Sequence, residues 1–485
     1  MIILLYTKPS LHFQDAGKVW NLSNKARPLA IARCLSASAV QSVVAFCSGG
    51  PSPERRSQPR TPLGVHSGGH DPFNRSVFGG SLMLDVTGLD SIVISTDWKS
   101  ATVGGDISSG VLINFLGEYG LITPSGYCNT VGYVGWSTGG YWRTRGGLWA
   151  RSRSDSWRDT GRCNRAVDRY DDPELLWALR GAGTSNFGVV VSLRIRVYGW
   201  PAYLAGILLF PASEIDKVMI GLTRVIEEAG YSDTFSGDCS IAQVSCTSTS
   251  SGYTVFFIVL PNNMLIQLEV DAELRGSLYH LFSWVGHIDG GDGARDRGWQ
   301  CLRNCEELGT VLVNTISRTT PADSMATLDP MTSMSMVAKL PAFTMAGLSS
   351  ELASILASMV IAHRSHGCRY VSASNTQRRS GHETSSMPIR DPHTILAITG
   401  SALPDGEGGV SPLPGEFGKC VRWVDRSSNQ IVKAGLDLPR TYVNWTSNEE
   451  ADVVPLYGGN QQTVEEAESR YDSSNLFVST YPNLT

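Results

Sequence analysis

Through residues 25–200, apolar and polar positions alternate in short runs separated by serine and glycine. Pro28 to Cys34 reads as a strand, and Ser36 or Ser38 can cap a helix running to Cys47. A further strand leads into His66, which predicts a β-α-β unit with a glycine turn after its last strand. Leu82, Leu84 and Val86 alternate, as do Ile92 and Ile94, giving two short strands with Asp90 in the turn between them. Ala101 to Gly104 is another. Ser108 or Ser109 caps an amphipathic helix carrying Val111, Leu112, Phe115 and Leu116, and Gly120 ends it. Asp172-Pro173-Glu174 opens a helix with cap, proline and first-turn acid together, and Gly181 closes it. Val189 to Tyr198 alternates cleanly, with Val189, Val191, Leu193, Ile195 and Val197 on one face.

From Trp200 the pattern changes. Leu204 to Phe210, Thr254 to Leu260 and Thr394 to Thr399 read as strands. Ser213 to Gly230 and Ala346 to His363 read as helices, and Ser401 to Gly418 as a loop. Dispersed strands of this kind describe an α+β substrate-covering domain. The length of 485 residues exceeds one ordinary core and agrees with two domains. A net charge of -5 argues against nucleic acid as the main partner. Met1 to Tyr6 is apolar, but Lys8 and Pro9 follow at once and no basic segment precedes it. It makes a poor signal peptide and is far too short to span a membrane. No membrane partner is expected, and a cytoplasmic location is the default. Four sequons, at Asn21, Asn74, Asn444 and Asn483, do not establish secretion. Ten scattered cysteines are too few for a disulfide scaffold, and Cys301 and Cys305 lack the second pair of a zinc pattern.

The stretch that carries chemistry is Gly64-Val65-His66-Ser67-Gly68-Gly69-His70-Asp71. Glycine there lets a ligand approach the main chain, and such a turn aligns N–H groups toward pyrophosphate. His70 leaves the turn as a nucleophile. Two other readings stand beside a dinucleotide turn: a helical metal pair of His66 and His70, and an ordinary turn with an exposed histidine. A second stretch, Pro124 to Gly140, places five glycines in 15 residues, at Gly126, Gly132, Gly135, Gly139 and Gly140. That density excludes regular helix or strand and makes a backbone surface for something to lie against, with Cys128 in it. A buried structural cysteine is the alternative. Gly181-Ala182-Gly183 and Gly188 nearly spell a dinucleotide fingerprint, but in the reverse order of helix and strand. Near the C-terminus lie Tyr442-Val443-Asn444-Trp445, Tyr457-Gly458-Gly459-Asn460 and Tyr471 to Phe477, which suggest a packed return to the first domain.

In this order, Ser67 to Asp71, Gly126 to Gly132, Leu176 to Gly181, Asn186-Phe187-Gly188-Val189 and the C-terminal clusters resemble the berberine bridge enzyme-like FAD-linked oxidases of the vanillyl-alcohol oxidase superfamily. The resemblance spans roughly residues 25–200 and 440–480. It implies a two-part α+β FAD-binding domain of the PCMH type at 25–200, completed by a C-terminal segment at 436–485. Between them, 201–435 would form an α+β substrate domain with an antiparallel sheet. His70 matches the histidine that carries the flavin through its 8α-methyl carbon, Cys128 the cysteine attached at C6, and Tyr442 the active-site tyrosine. The remaining cofactor-binding positions are His66, Ser67, Gly68, Gly69, Asp71, Gly126, Val131, Gly132, Gly135, Gly139, Gly140, Asn186, Gly188, Val189, Asn444 and Asn460. No metal is expected. The implied reaction passes hydride from a C–H of a small organic substrate to flavin N5, with O2 as acceptor, in fungal or bacterial specialised metabolism. An imidazole and a thiolate suit addition to an electron-poor ring, and a tyrosine can take a substrate proton. The redox chemistry itself belongs to the cofactor.

The chain also departs from that pattern. His66 replaces an arginine, and Trp445 replaces a tyrosine. Trp142 to Arg169 holds eight arginines, no lysine and three tryptophans without apolar order, and Ser48 to Pro62 is similarly odd. Both read as stretches in another frame, or as lineage-specific loops. The alternatives to the first reading are therefore a carbohydrate or alcohol oxidase or a dehydrogenase of the same fold, and a non-catalytic remnant.

Overall fold

The computed structural model describes residues 2–23, 25–49, 60–126, 128–139, 156–160, 165–168, 172–183, 186–199, 202–228, 235–243, 248–249, 252–258, 265–269, 277–286, 303–332, 336–361, 368–376, 386, 393–402, 416–439, 442–446 and 456–477. The first sheet has four strands, β1 (Ile3–Thr7), β2 (Ala30–Cys34), β3 (Leu63–His66) and β4 (Leu82–Asp85), in the order β1-β2-β4-β3. β4 runs parallel to both β2 and β3, while β1 is antiparallel to β2. Helix α1 (Ala37–Cys47), capped by the Ser36 hydroxyl, makes the crossover.

β4 corrects the simple alternation expected there. Leu84 and Val86 pack with α1, whereas Met83 packs on the opposite face against Phe13 and Ile31. Helices cover both faces, so the central strand is apolar on each side. The apolar N-terminus, read as a poor signal peptide, forms β1 and the helix Leu11–Ala16 that supplies Phe13.

A five-stranded sheet follows, ordered Ile92–Ile94, Ser100–Gly104, Val190–Arg196, Ser156–Thr160, Arg165–Asp168. The last two strands fall within the arginine-rich stretch; the rest of that stretch, and 50–59, lie outside the described residues. The face predicted for Val189 to Val197 divides between two cores: Val189 and Val191 join α1, while Leu193, Ile195 and Val197 join α2 (Ser109–Glu118). Ser108 caps α2, but Val111 is exposed and Ile113 takes its inward place.

The middle of the chain builds a ten-stranded antiparallel sheet. Its central order is Ala202–Pro211, Ser277–Gly286, Phe235–Gln243, Cys368–Thr376, His393–Ala402. Helices Ile215–Glu228, Ser350–Ile361 and Glu416–Lys433 pack with it. The expected loop from Ser401 to Gly418 is corrected at both ends, since Ser401 completes a strand and Gly418 lies in a helix. Cys420, Trp423, Val424, Ser427 and Ile431 give that helix its buried stripe; residues 403–415 are outside the described set.

One apolar cluster joins α2, Ala342 and Ile395 of the large sheet, and Tyr442, Leu456, Tyr457 and Val464 near the C-terminus. The chain end returns to the first sheet. Leu476 and Phe477 pack with α1, and the Leu63 N–H donates to the Leu476 carbonyl at 2.9 Å. Asp472 holds that return by accepting from the Leu476 and Phe477 N–H groups at 2.7 and 3.0 Å.

Asp472 follows the helix Gln461–Tyr471, on which Glu468 is buried with Oε2 unpartnered among the described residues. Burial and the nearby Asp472 and Glu465 carboxylates push its acid from 4.5 to about 8. The folded chain thus holds this proton more tightly than the unfolded chain. The associated stability is complete below 4.5 and disappears as pH rises through about 8. Glu468→Gln should remove that loss. In denaturant melts at about pH 9 the variant should be more stable by about 1–2 kcal/mol, allowing for partial screening, and the two proteins should converge near pH 4. Parallel stability–pH curves would refute this.

Candidate active site

β3 delivers His66 opposite Asp85 of β4, and the chain then bends. Gly69 adopts φ +62°, in the left-handed region, and a Cβ there would sit 2.8 Å from His66 Nε2. The bend is not a helix, so the helical metal pair does not form. His66 is buried, and burial lowers its imidazole below the ordinary range. In the neutral form its Nε2–H donates to the Lys18 carbonyl at 3.2 Å, while Nδ1 finds no partner among the described residues.

The two glycine stretches pack on each other. A Cβ on Gly68 would lie 2.6 Å from Gly132 N and 2.9 Å from Thr130 O. A Cβ on Gly132 would meet Ser67 Oγ at 2.9 Å. The second stretch is pinned from behind: Ser109 N donates to Val131 O at 2.9 Å, and Tyr133 N to Ile107 O at 2.8 Å. This contact carries Cys128 to His70, with Sγ and Nε2 3.5 Å apart. Thr130 Oγ1 lies 3.4 Å from the same sulfur. Cys34, Cys47, Cys305 and Cys420 are buried, and burial pushes the thiols of Cys34 and Cys47 up to about 12. Cys128, by contrast, is only half-buried.

The expectation that Pro124 to Gly140 excludes helix is corrected. Tyr133–Thr138 form a short helix, α3, with Gly132 and Gly139 as its two caps. Gly135 inside it has open space around its Cα, and so does Gly183. A Cβ on Gly139 would collide with the Asn444 amide. Gly140 lies outside the described residues.

A third segment closes on the turn. Arg75 holds Asp71 with two bonds, Nε to Oδ2 at 2.9 Å and Nη2 to Oδ1 at 2.6 Å. The same guanidinium donates to the Val443 and Asn444 carbonyls at 3.2 and 3.3 Å. Asn444 Nδ2 in turn donates to the Tyr442 hydroxyl oxygen at 2.8 Å and reaches Gly135 O at 3.4 Å. Tyr442 is buried with its ring edge-on to Trp445. Arg75 is missing from the sequence-derived set, although its i,i+4 spacing from Asp71 is a legible charge pair. Trp20, whose ring stacks on His70, carries no local signal at all.

Thus His66 to Asp71, Cys128, Gly132, Gly135, Gly139, Asn444 and Tyr442 are linked through described contacts, with Val131 in the pinned segment. The other positions stand apart from that chain of contacts. Gly126 faces Trp136, and Asn186 donates to Ala182 O at 2.9 Å. Gly188 has φ +137°, Val189 is buried beside α1, and Asn460 donates to Ser386 O at 3.0 Å.

The two kinds of glycine separate in a stability measurement. Gly68→Ala forces the two backbones apart and should cost about 1–3 kcal/mol, as overpacking does. Gly135→Ala, in open space inside a helix, should gain about 0.5–1 kcal/mol. Denaturant melts of both variants check the contrast, and an unperturbed Gly68→Ala would show that the two backbones are not in close contact.

No family model matches the chain. It is 27% identical to the FAD-linked oxidoreductase aurO of Gibberella zeae, over 98% of this chain and 84% of that protein. Among solved structures, 6-hydroxy-D-nicotine oxidase from Arthrobacter nicotinovorans superposes with a TM-score of 0.75 at 20% identity, covering 99% of this chain and 97% of that one. A variant of berberine bridge enzyme superposes with a TM-score of 0.74 at 13% identity, covering 100% and 96%. The likeness in sequence is to an FAD-linked oxidoreductase, and the likeness to the solved structures is one of fold. Together these likenesses support an FAD-dependent oxidoreductase that shares its fold with berberine bridge enzyme.

Proposed function

We propose that this enzyme is an oxidase of a small organic molecule whose FAD is bonded to the chain through both His70 and Cys128. The observation that carries the reading is the 3.5 Å approach of Cys128 Sγ to His70 Nε2. Two nucleophiles 58 residues apart in the chain converge there. Gly135 and Gly183 leave main chain uncovered, and Gly69 bends the turn sharply, which suits a flat ring system lying against the backbone. When bound, the flavin supplies the ring that accepts hydride from a substrate C–H, and O2 is the proposed final acceptor. Residues 25–200 with 436–485 would hold the cofactor and 201–435 would cover the substrate, in a role suited to specialised metabolism.

The chain's own part is positioning and proton handling. Asp71 and Arg75 lock the histidine turn to the Tyr442 segment. The Asn444 N–H donated to the Tyr442 oxygen favours negative charge there, which suits a group that takes a substrate proton. Burial of Tyr442 keeps water from competing.

Two outcomes check this. Flavin should stay with the denatured polypeptide. It should remain in each of His70→Ala and Cys128→Ala, and leave in the double variant. Complete release from the unmutated protein would refute the tethers. Tyr442→Phe should retain flavin and fold but slow anaerobic flavin reduction by about 10²–10⁴, the usual cost of losing a general base. Stopped-flow reduction at an unchanged rate, with a lowered melting temperature, would leave Tyr442 a packing residue.

A further inference from the structure

Trp20 lies before every motif that marks the family, yet it touches the histidine turn twice. Its indole stacks on the His70 imidazole with centroids 5.3 Å apart and planes at 26°. Its main-chain N–H donates to the Gly69 carbonyl at 2.9 Å. One residue therefore restrains both the ring of His70 and the backbone that precedes it.

Trp20 is itself held from behind. Its carbonyl accepts from Met336 N at 3.0 Å, and Leu22 N donates to Met336 O at 2.8 Å. Asn21 Nδ2 donates to Ala338 O at 3.0 Å and to Pro72 O at 2.6 Å, while Oδ1 accepts from Ala338 N at 3.1 Å. Asn74 Nδ2 donates to Asn21 O at 2.5 Å. Both asparagines belong to sequons and both are buried. Residues 20–22 thus form a strap between the histidine turn and the strand Val337–Lys339 of the large sheet.

The lone pair of an imidazole nitrogen lies in the ring plane. A tilt of the ring misdirects it, and near-attack geometry is sensitive to small misplacements. A wide indole fixed at the backbone removes tilt while Cys128 engages Nε2. We propose that Trp20 is a positioning residue for flavin attachment at His70, acting through the plane of the imidazole. The proposal rests on the reading that His70 carries the flavin. In that step an imidazole N–H and one C–H of the flavin methyl group are exchanged for a C–N bond. The two hydrogens leave with two electrons, which dioxygen takes up as hydrogen peroxide.

A mere packing role would be filled by any apolar side chain, whereas ring positioning needs a flat face. The test uses Cys128→Ala as parent, so that only the His70 tether remains. Trp20→Phe and Trp20→Leu are added to it, each apoprotein is incubated with FAD, and flavin retained after denaturation is followed over time. The rate should stay within about threefold for Phe and fall by about 10–100-fold for Leu. Non-covalent FAD affinity, measured for Trp20→Leu in the His70→Ala, Cys128→Ala background, should change by less than about threefold. Equal attachment rates for Leu and parent would overturn the proposal, and so would a loss of affinity as large as the loss of rate. A Cys128→Ala parent that never retains flavin would instead refute the His70 tether, and the proposal with it.

Discussion

Gly68 and Gly132 meet main chain to main chain, with no space for a Cβ on either. The contact matters because it joins two segments that carry one reactive side chain each. With Gly68 seated against Gly132, the turn continues to His70 and the second segment back to Cys128, and their side chains meet. The glycines that looked like a surface for a ligand thus do two different things. Some close the protein on itself, and others, such as Gly135, leave main chain open.

Around that contact, charge and amide groups tie distant segments to the same turn. Arg75 neutralises Asp71 and caps the carbonyls of Val443 and Asn444, so one guanidinium satisfies acceptors from both ends of the chain. Asn21 does the same from the N-terminal side with its amide. A buried amide such as that of Asn21 is costly unless its partners are present, which makes it specific to one arrangement. Arg75 and Asn21 thus hold from outside a turn whose bend its own glycine permits.

One acid beside the five-stranded sheet is unusual. Asp106 follows a strand end at Gly104-Gly105, and burial with the Asp85 and Asp90 carboxylates pushes it up to about 7. Its Oδ1 has no partner among the described residues. Asp85 nearby is compensated by Arg33 at 2.7 Å and by the Thr87 N–H at 2.9 Å.

Local chemistry decided much of the fold. Ser36, Ser108 and Asp172 each cap the helix expected of them, because a cap is a contact over three residues. The glycine turn and its histidine were legible for the same reason: φ +62° at Gly69 is a demand that a sequence expresses at the position itself. The helix Tyr133–Thr138 was obscured because glycine density does not reveal which glycines fall at caps. Two-sided burial of Met83 and Leu84 depended on a helix from residues 11–16, which alternation within β4 cannot report. The roles of Trp20 and Arg75 were decided only in three dimensions. Stacking on His70 joins positions 50 apart, and the Arg75 bond to Val443 spans 368. The sequence alone determined which residues could do chemistry, because reactivity belongs to a side chain; the tertiary structure decided which of them meet, because distance between segments is a property of packing and not of order along the chain.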